Sequence, residues 1–208
     1  MIKVENIKVF NLEGAFRGMR NPLESWDKSD SYYTYDNNFE EERKFVIGEE
    51  DMKLALKLVQ AGSEHAKFMR QIFVSMDITA PLYFYKEFDT YKIATVANST
   101  SSMHKMGSRL LNFEDFSWDK ITPHRDNEIY HLNKLIKQWQ DSNKTNKEIW
   151  RELIQDLPSS LNQTRTWTGN YQVLRNMYFQ RRNHKLVEWL DFCKMIKELP
   201  YSKLITIE

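Results

Sequence analysis

The chain has 208 residues, 41% of them hydrophobic and 13% aromatic, which is enough apolar material for one well-filled core and too much for a disordered segment. Its 30 Lys and Arg nearly cancel its 29 Asp and Glu, so no bulk electrostatic pull toward a nucleic acid polymer or a membrane follows. The single cysteine, Cys193, excludes an internal disulfide framework and a cysteine-rich zinc site.

Residues 1–10 alternate, with Ile2 and Val4 and then Ile7 and Val9, which predicts one or two short strands. The opening "MIKVENIKVF" is not an apolar signal segment, and no later stretch reaches transmembrane length, so a cytoplasmic protein is expected. Residues 14–31 are punctuated by Gly, Pro, Ser and Asp and read as a loop or short helix. Residues 32–50 are tyrosine-rich and then acidic, without a period, and predict an extended or mobile segment. Within it "DSYYTYDNN" is either a stacking surface or a loop lying on the core or on a neighbouring subunit.

Met52, Ala55, Leu56 and Val59 have helical spacing and predict a helix from Asp51 to near Gly62. Ile72, Val74, Met76 and Ile78 alternate with polar residues, the clearest strand signal, and lead into Ala80-Pro81. The stretch "EFDTYKIATVANSTSSMH", Glu87 to His104, is dense in hydroxyl and amide groups and holds one Lys and no Arg. It reads either as a Ser/Thr-capped turn into a helix or as a ligand site of altered chemistry. Ile129, Leu132, Leu135, Ile136 and Trp139 form the stripe of a helix over 127–140. Thr145 and Glu148 have the spacing of a capping box that opens a further helix, stopped by Pro158. A last long helix fits residues 168–197 and carries Cys193 as a packed thiol. The five histidines recur at no ligand spacing, so no metal site is expected. The reading is a single helix-rich α+β domain over residues 1–208, with a small, mostly antiparallel sheet.

The frame Leu157-Pro158, Trp167-Thr168, Asn170, Leu174, Arg181 and His184 with Glu188 resembles the C-terminal half of the flavin-dependent thymidylate synthases. It runs without a gap from Pro158 to Arg181 and needs one deletion before His184. Upstream, His65 stands fifteen residues before Ala80-Pro81, as a cofactor-contacting His does in that family. The family signature, R-H-R followed after seven residues by Ser, falls on Thr90-Tyr91-Lys92, with Asn98-Ser99 and Ser101 beyond it. One extra residue is needed to reach Ser101; without it Thr100 takes the place. Glu87 stands where the family has Gln, and Met103 where it has Arg.

The resemblance implies a homotetramer that binds FAD, deoxyuridylate and a folate at subunit contacts, with NADPH as reductant in active members. It implies Arg181 as the group that polarises the pyrimidine. It implies His65, Asn98, Asn170 and His184 on the flavin side, and Glu87, Lys92, Ser99, Thr100, Ser101 and Arg181 on the nucleotide side. A guanidinium fork matches phosphate in a way that a lysine point charge does not. Losing two such hydrogen-bonding charges, at roughly 1.5–3 kcal/mol each, weakens phosphate binding by roughly two to four orders of magnitude. Arg70, Lys86, Lys105 and Arg109 are the other cations that could restore it, and the hydroxyls from Thr95 to Ser102 could hold an anion at a helix start. Two readings stay open: an enzyme that methylates deoxyuridylate or a related nucleotide, and a silent relative that sequesters a nucleotide or a nucleotide-derived signal. Glu87 and Asp89 have a plainer alternative as a solvated ion-pair cluster with Lys86 and Lys92.

Overall fold

The alternation at the N-terminus changes phase between Val4 and Ile7. In the computed structural model, Asn6 takes a left-handed backbone (φ 52°) inside one continuous strand, β1 (Lys3–Phe10). Asn tolerates that conformation better than most residues because its short amide can bond locally. The structure describes residues 2–35 and 43–208.

Helix α1 (Leu12–Arg20) and two 3-10 turns (Asn21–Leu23 and Trp26–Lys28) occupy the stretch read as loop or short helix. Ala15, Phe16 and Met19 bury one face of α1, which outweighs the poor helix propensity of its two glycines. Gly18 lets Gln71 approach: a Cβ there would lie 2.8 Å from the Gln71 side-chain oxygen. The tyrosine-rich segment forms a strand, β2 (Tyr32–Tyr35), paired antiparallel with β3 (Arg43–Val46), Tyr32 opposite Val46. The acidic stretch expected to be extended or mobile falls largely on residues 36–42, outside the described residues.

Helix α2 (Glu49–Gln60) starts at Gly48, which has no side chain to cap it. The Asp30 carboxylate does so instead, accepting from the backbone N–H of Glu50 (2.9 Å) and Asp51 (3.0 Å). Strand β4 (Phe73–Pro81) runs directly into helix α3 (Leu82–Phe88), which the sequence pattern did not announce. Strand β5 (Val96–Ser99) and the short helix α4 (Ser102–Lys105) follow, then α5 (Pro123–Asp141), capped by Thr122. Helix α6 (Lys147–Gln155) is capped one residue later than expected. Asn146 Oδ1 accepts from Glu148 N–H (3.0 Å) and Ile149 N–H (3.2 Å), while Thr145 donates its hydroxyl to Ser142 carbonyl (2.7 Å).

The single long helix over 168–197 is not formed. Residues 168–170 end strand β6 (Asn162–Asn170), and the rest is split into α7 (Tyr171–Arg181) and α8 (Val187–Glu198), before the short α9 (Lys203–Thr206). The physical reason is a period-two run, in which Thr164, Thr166 and Thr168 alternate with Arg165 and Trp167, and β-branched residues suit a pleated strand. The four-stranded sheet has the order β1-β4-β6-β5. Strands β4 and β6 run antiparallel, with side-chain hydrogen bonds between Thr79 and Thr164 (2.7 Å), Thr166 and Asp77 (2.5 Å), and Thr168 and Ser75 (3.3 Å). Val74, Met76, Ile78 and Trp167 point to the opposite, buried face. The architecture is α+β and helix-rich with a small antiparallel sheet.

By density of contacts the residues group into two compact units, Met1–Glu5, Asp77–Lys92 and Ala97–Trp167 in one, and Asn6–Met76, Ile93–Val96 and Thr168–Glu208 in the other. The first packs α5 and α6 on a core of Leu111, Phe116, Leu132, Leu135, Ile136, Leu153 and Leu161. The second buries Phe16, Met69, Ile72, Tyr171, Leu174, Trp189 and Phe192. It also holds a buried ion pair, Arg20 with Asp51 at 2.6 Å, whose carboxylate accepts further from Ser29 and Ser31. Those hydroxyls complete the hydrogen bonding that a buried charge requires.

Candidate functional site

Asn170 ends β6 and opens α7. The change of period from two to 3.6 at this residue is stabilised by its own side chain, whose Oδ1 accepts from Val173 N–H (3.0 Å), while Tyr171 N–H donates to Ile72 carbonyl (3.0 Å). Asn170 is 3% exposed. Beside it, within the second unit, is a cavity of about 270 Å³ lined by Arg70, Ile93, Ala94, Asn170, Gln172, Val173 and Asn176. Gln172 and Asn176 lie one turn apart on α7 and are joined by a 3.1 Å hydrogen bond. Ala94 adopts a left-handed backbone (φ 56°), a conformation that costs a residue with a Cβ about 1–2 kcal/mol. Such strain concentrates at ligand sites.

The cavity joins the residues directly after Thr90-Tyr91-Lys92 to the first turns of α7. Its chemistry is one guanidinium, three side-chain amides and the positive end of a helix dipole beside an apolar wall, which suits an anion attached to a planar or aliphatic body. Pockets that enclose a whole small ligand span roughly 300–1,000 Å³. This one lies just below that range, and its donor set suits a phosphate or a similar anionic group.

A second cavity, of about 220 Å³, lies in the first unit and is lined on one side by Thr100, Ser101, Lys105 and Arg109 and on the other by Asn162 and Gln163. Strand β6 fixes Thr100 there: its N–H donates to Thr164 carbonyl (2.9 Å), its hydroxyl accepts from Thr164 N–H (3.3 Å), and its carbonyl accepts from Gln163 Nε2 (2.8 Å). Ser101 caps α4, accepting from His104 N–H (3.2 Å), and its hydroxyl lies 2.7 Å from His104 Nδ1. Arg109 is held by Asp115, with Nη1 donating to Oδ2 at 2.8 Å and Nη2 to Oδ1. With Lys105, two cations face one carboxylate across a hydroxyl-rich hollow.

The expected site residues divide accordingly. Thr100 and Ser101 line the second cavity and Asn170 the first. Arg181 and His184 meet elsewhere in the second unit, over the buried Trp189, with the Arg181 guanidinium 5.0 Å and the His184 ring 6.3 Å from the Trp189 ring. Both are half-buried, and neither lines these two cavities. His65 is exposed in the turn five residues beyond the end of α2. Lys92, Asn98 and Ser99 are exposed, and Glu87 is half-buried in the last turn of α3, its carbonyl accepting the Thr90 hydroxyl at 2.7 Å. Asp89 pairs with Arg165 (2.7 Å). Of the alternative cations, Arg70, Lys105 and Arg109 line cavities. Ile93, Ala94, Gln172 and Asn176 carry no motif letter; Gln172 and Asn176 stand four residues apart, and no spacing in the sequence links Ile93 or Ala94 to them.

No family model matches the sequence, and no curated protein does either. Solved structures do. Thymidylate synthase X from Helicobacter pylori, crystallised with FAD and dUMP, superposes with a TM-score of 0.72 at 16% identity, covering 100% of this chain and 98% of that one. A second structure of the flavin-dependent thymidylate synthase from Helicobacter pylori, complexed with FAD and dUMP, gives 0.71 at 16% identity, covering 100% and 97%. The chain thus has the fold of the flavin-dependent thymidylate synthases over its whole described length.

Proposed function

We propose that the chain, as a single domain, binds a flavin and a pyrimidine nucleotide at contacts between identical subunits of a tetramer, and that it reductively methylates deoxyuridylate or a related nucleotide. The observation that carries this reading is the cavity in which Ile93 and Ala94 meet Asn170, Gln172 and Asn176, on a fold shared with proteins crystallised with FAD and dUMP. Arg70 and the start of α7 hold the phosphate-bearing part of FAD, and His65, Asn98 and His184 are the further flavin-side groups, brought to it at subunit contacts. Thr100, Ser101 and Lys105 hold the nucleotide phosphate together with Lys92 and Ser99, and Glu87 accepts from a donor group of the nucleotide. Arg181 donates to the pyrimidine ring and polarises it. A bound flavin would supply the hydride and a folate the carbon, with NADPH as reductant.

A second reading, a silent relative that sequesters the nucleotide, is favoured by one observation. Thr90, at the position of the first signature arginine, donates its hydroxyl to the Glu87 carbonyl of its own turn. The test is FAD uptake by the purified protein, read by absorbance, with dUMP binding by calorimetry and dUMP consumption in the presence of folate and NADPH. The enzyme reading expects a yellow protein, about tenfold weaker FAD binding in Asn176→Ala and Arg70→Ala, and turnover. Binding of dUMP without turnover selects the second reading. A colourless protein that takes up neither FAD nor dUMP overturns both.

A further inference from the structure

Helices α5 and α6 form an antiparallel pair over the core of the first unit, with Leu132, Leu135 and Leu153 facing inward. On the outward side His131 lies within α5, Glu152 in the last turn of α6 and Asp156, four residues on, at its C-cap. One ligand atom from each of these three residues lies within 4.8 Å of the other two, and all three side chains are exposed. His131 Nε2 is 2.7 Å from Asp156 Oδ2. None of the three belongs to either cavity described above.

Without a cation this arrangement works against itself. Two carboxylates four residues apart on a helix repel each other. Both sit in the last turn or at the cap of α6, where the helix dipole already presents negative potential and carboxylates are disfavoured. The Asp156 contact with His131 leaves the Glu152 charge beside it uncompensated by that pair. An imidazole nitrogen and two carboxylate oxygens carry a charge of −2 with the imidazole neutral, which a divalent ion cancels. Ligands of zinc-type ions lie about 2.0–2.2 Å from the metal, so three donor atoms within 4.8 Å of one another need only small rotamer changes to converge, with water in the remaining position. The imidazole selects a transition metal over Mg²⁺ or Ca²⁺, which take oxygen ligands.

The geometry points to a divalent transition-metal site formed by His131, Glu152 and Asp156, which ties α5 to α6. The ion fastens one residue of α5 to two of α6, outside the nucleotide-binding machinery.

Isothermal titration of the full chain with Zn²⁺ tests this, after chelator treatment. One equivalent is expected to bind, with affinity at least about tenfold weaker in His131→Ala and in Glu152→Gln, and unchanged within twofold in His124→Ala, a control histidine at the start of α5. Because the three side chains are exposed, both variants are expected to keep the metal-free melting temperature, which separates lost binding from lost folding. Millimolar Mg²⁺ is expected not to displace the ion. The assignment is overturned by the absence of binding, by His131→Ala binding as tightly as the parent chain, or by displacement with Mg²⁺.

Discussion

Asp115 shows two opposing effects on one carboxyl. Burial alone would raise its pKa, but the Arg109 guanidinium and the Asn112 N–H (2.8 Å) outweigh burial and hold it below the ordinary carboxylate value. A depressed folded-state pKa means that the unfolded chain binds the proton more readily. The contribution of Asp115 to stability is therefore complete above the unfolded value, about pH 4, and is lost as pH falls through the lowered one. Asp115→Asn is expected to destabilise the protein at neutral pH and to flatten the acid limb of its stability profile below about pH 4, as measured by denaturant melts across pH. The same residue decides how freely Arg109 can reach an anion in the second cavity. Neither fact was legible from the sequence, where Arg109 was only one of four dispersed cations. Pairing across six residues of irregular chain leaves no periodic trace.

Elements were legible where one face is apolar and obscured where a polar side chain sets the boundary. The amphipathic stripes of α2 and α5 and the alternation of β4 appear as expected. The start of α6 shows the difference. Thr145 has the capping-box spacing, yet Asn146 caps the helix, because Thr145 is engaged with Ser142 in the preceding turn. Asn146→Ala is accordingly expected to cost about 1 kcal/mol of stability. Thr145→Ala should cost measurably less, and equal losses in urea titration would contradict the assigned cap. Strand β6 was missed for a related reason. Its threonines supply the alternation on a face that hydrogen-bonds to β4, so no run of hydrophobic residues marks it. Of the site, the Pro158–Arg181 frame singled out Asn170 as a flavin-side residue, while the helical pattern put it inside a helix that the structure begins only at Tyr171. The partners of Asn170 in the cavity, Ile93 and Ala94, lie far away in sequence and are brought to it only by folding.

Across the whole molecule, the hydrophobic periodicity foretold a helix-rich α+β fold, and among the described residues no helix is long and apolar enough to cross a membrane. Composition supplies one thiol as an internal reporter. Cys193 is 4% exposed on α8, and burial pushes its thiol up to about 11. Thiolate is the reactive form, so native protein at pH 8 is expected to react with a thiol reagent in far less than one equivalent over minutes. Denatured protein should react with one full equivalent. Rapid stoichiometric labelling of the native chain would show that the α8 core opens readily.

The three hydroxyl-bearing pairs between β4 and β6 work as a vernier. Sliding one strand by a single residue would break Ser75 from Thr168, Asp77 from Thr166 and Thr79 from Thr164 together, and would turn the threonines toward the side now filled by Val74, Met76 and Ile78. No intermediate alignment keeps part of the set. The seam between the central strands therefore has one setting, and Asn170, at its end, inherits a fixed position for the helix that begins there.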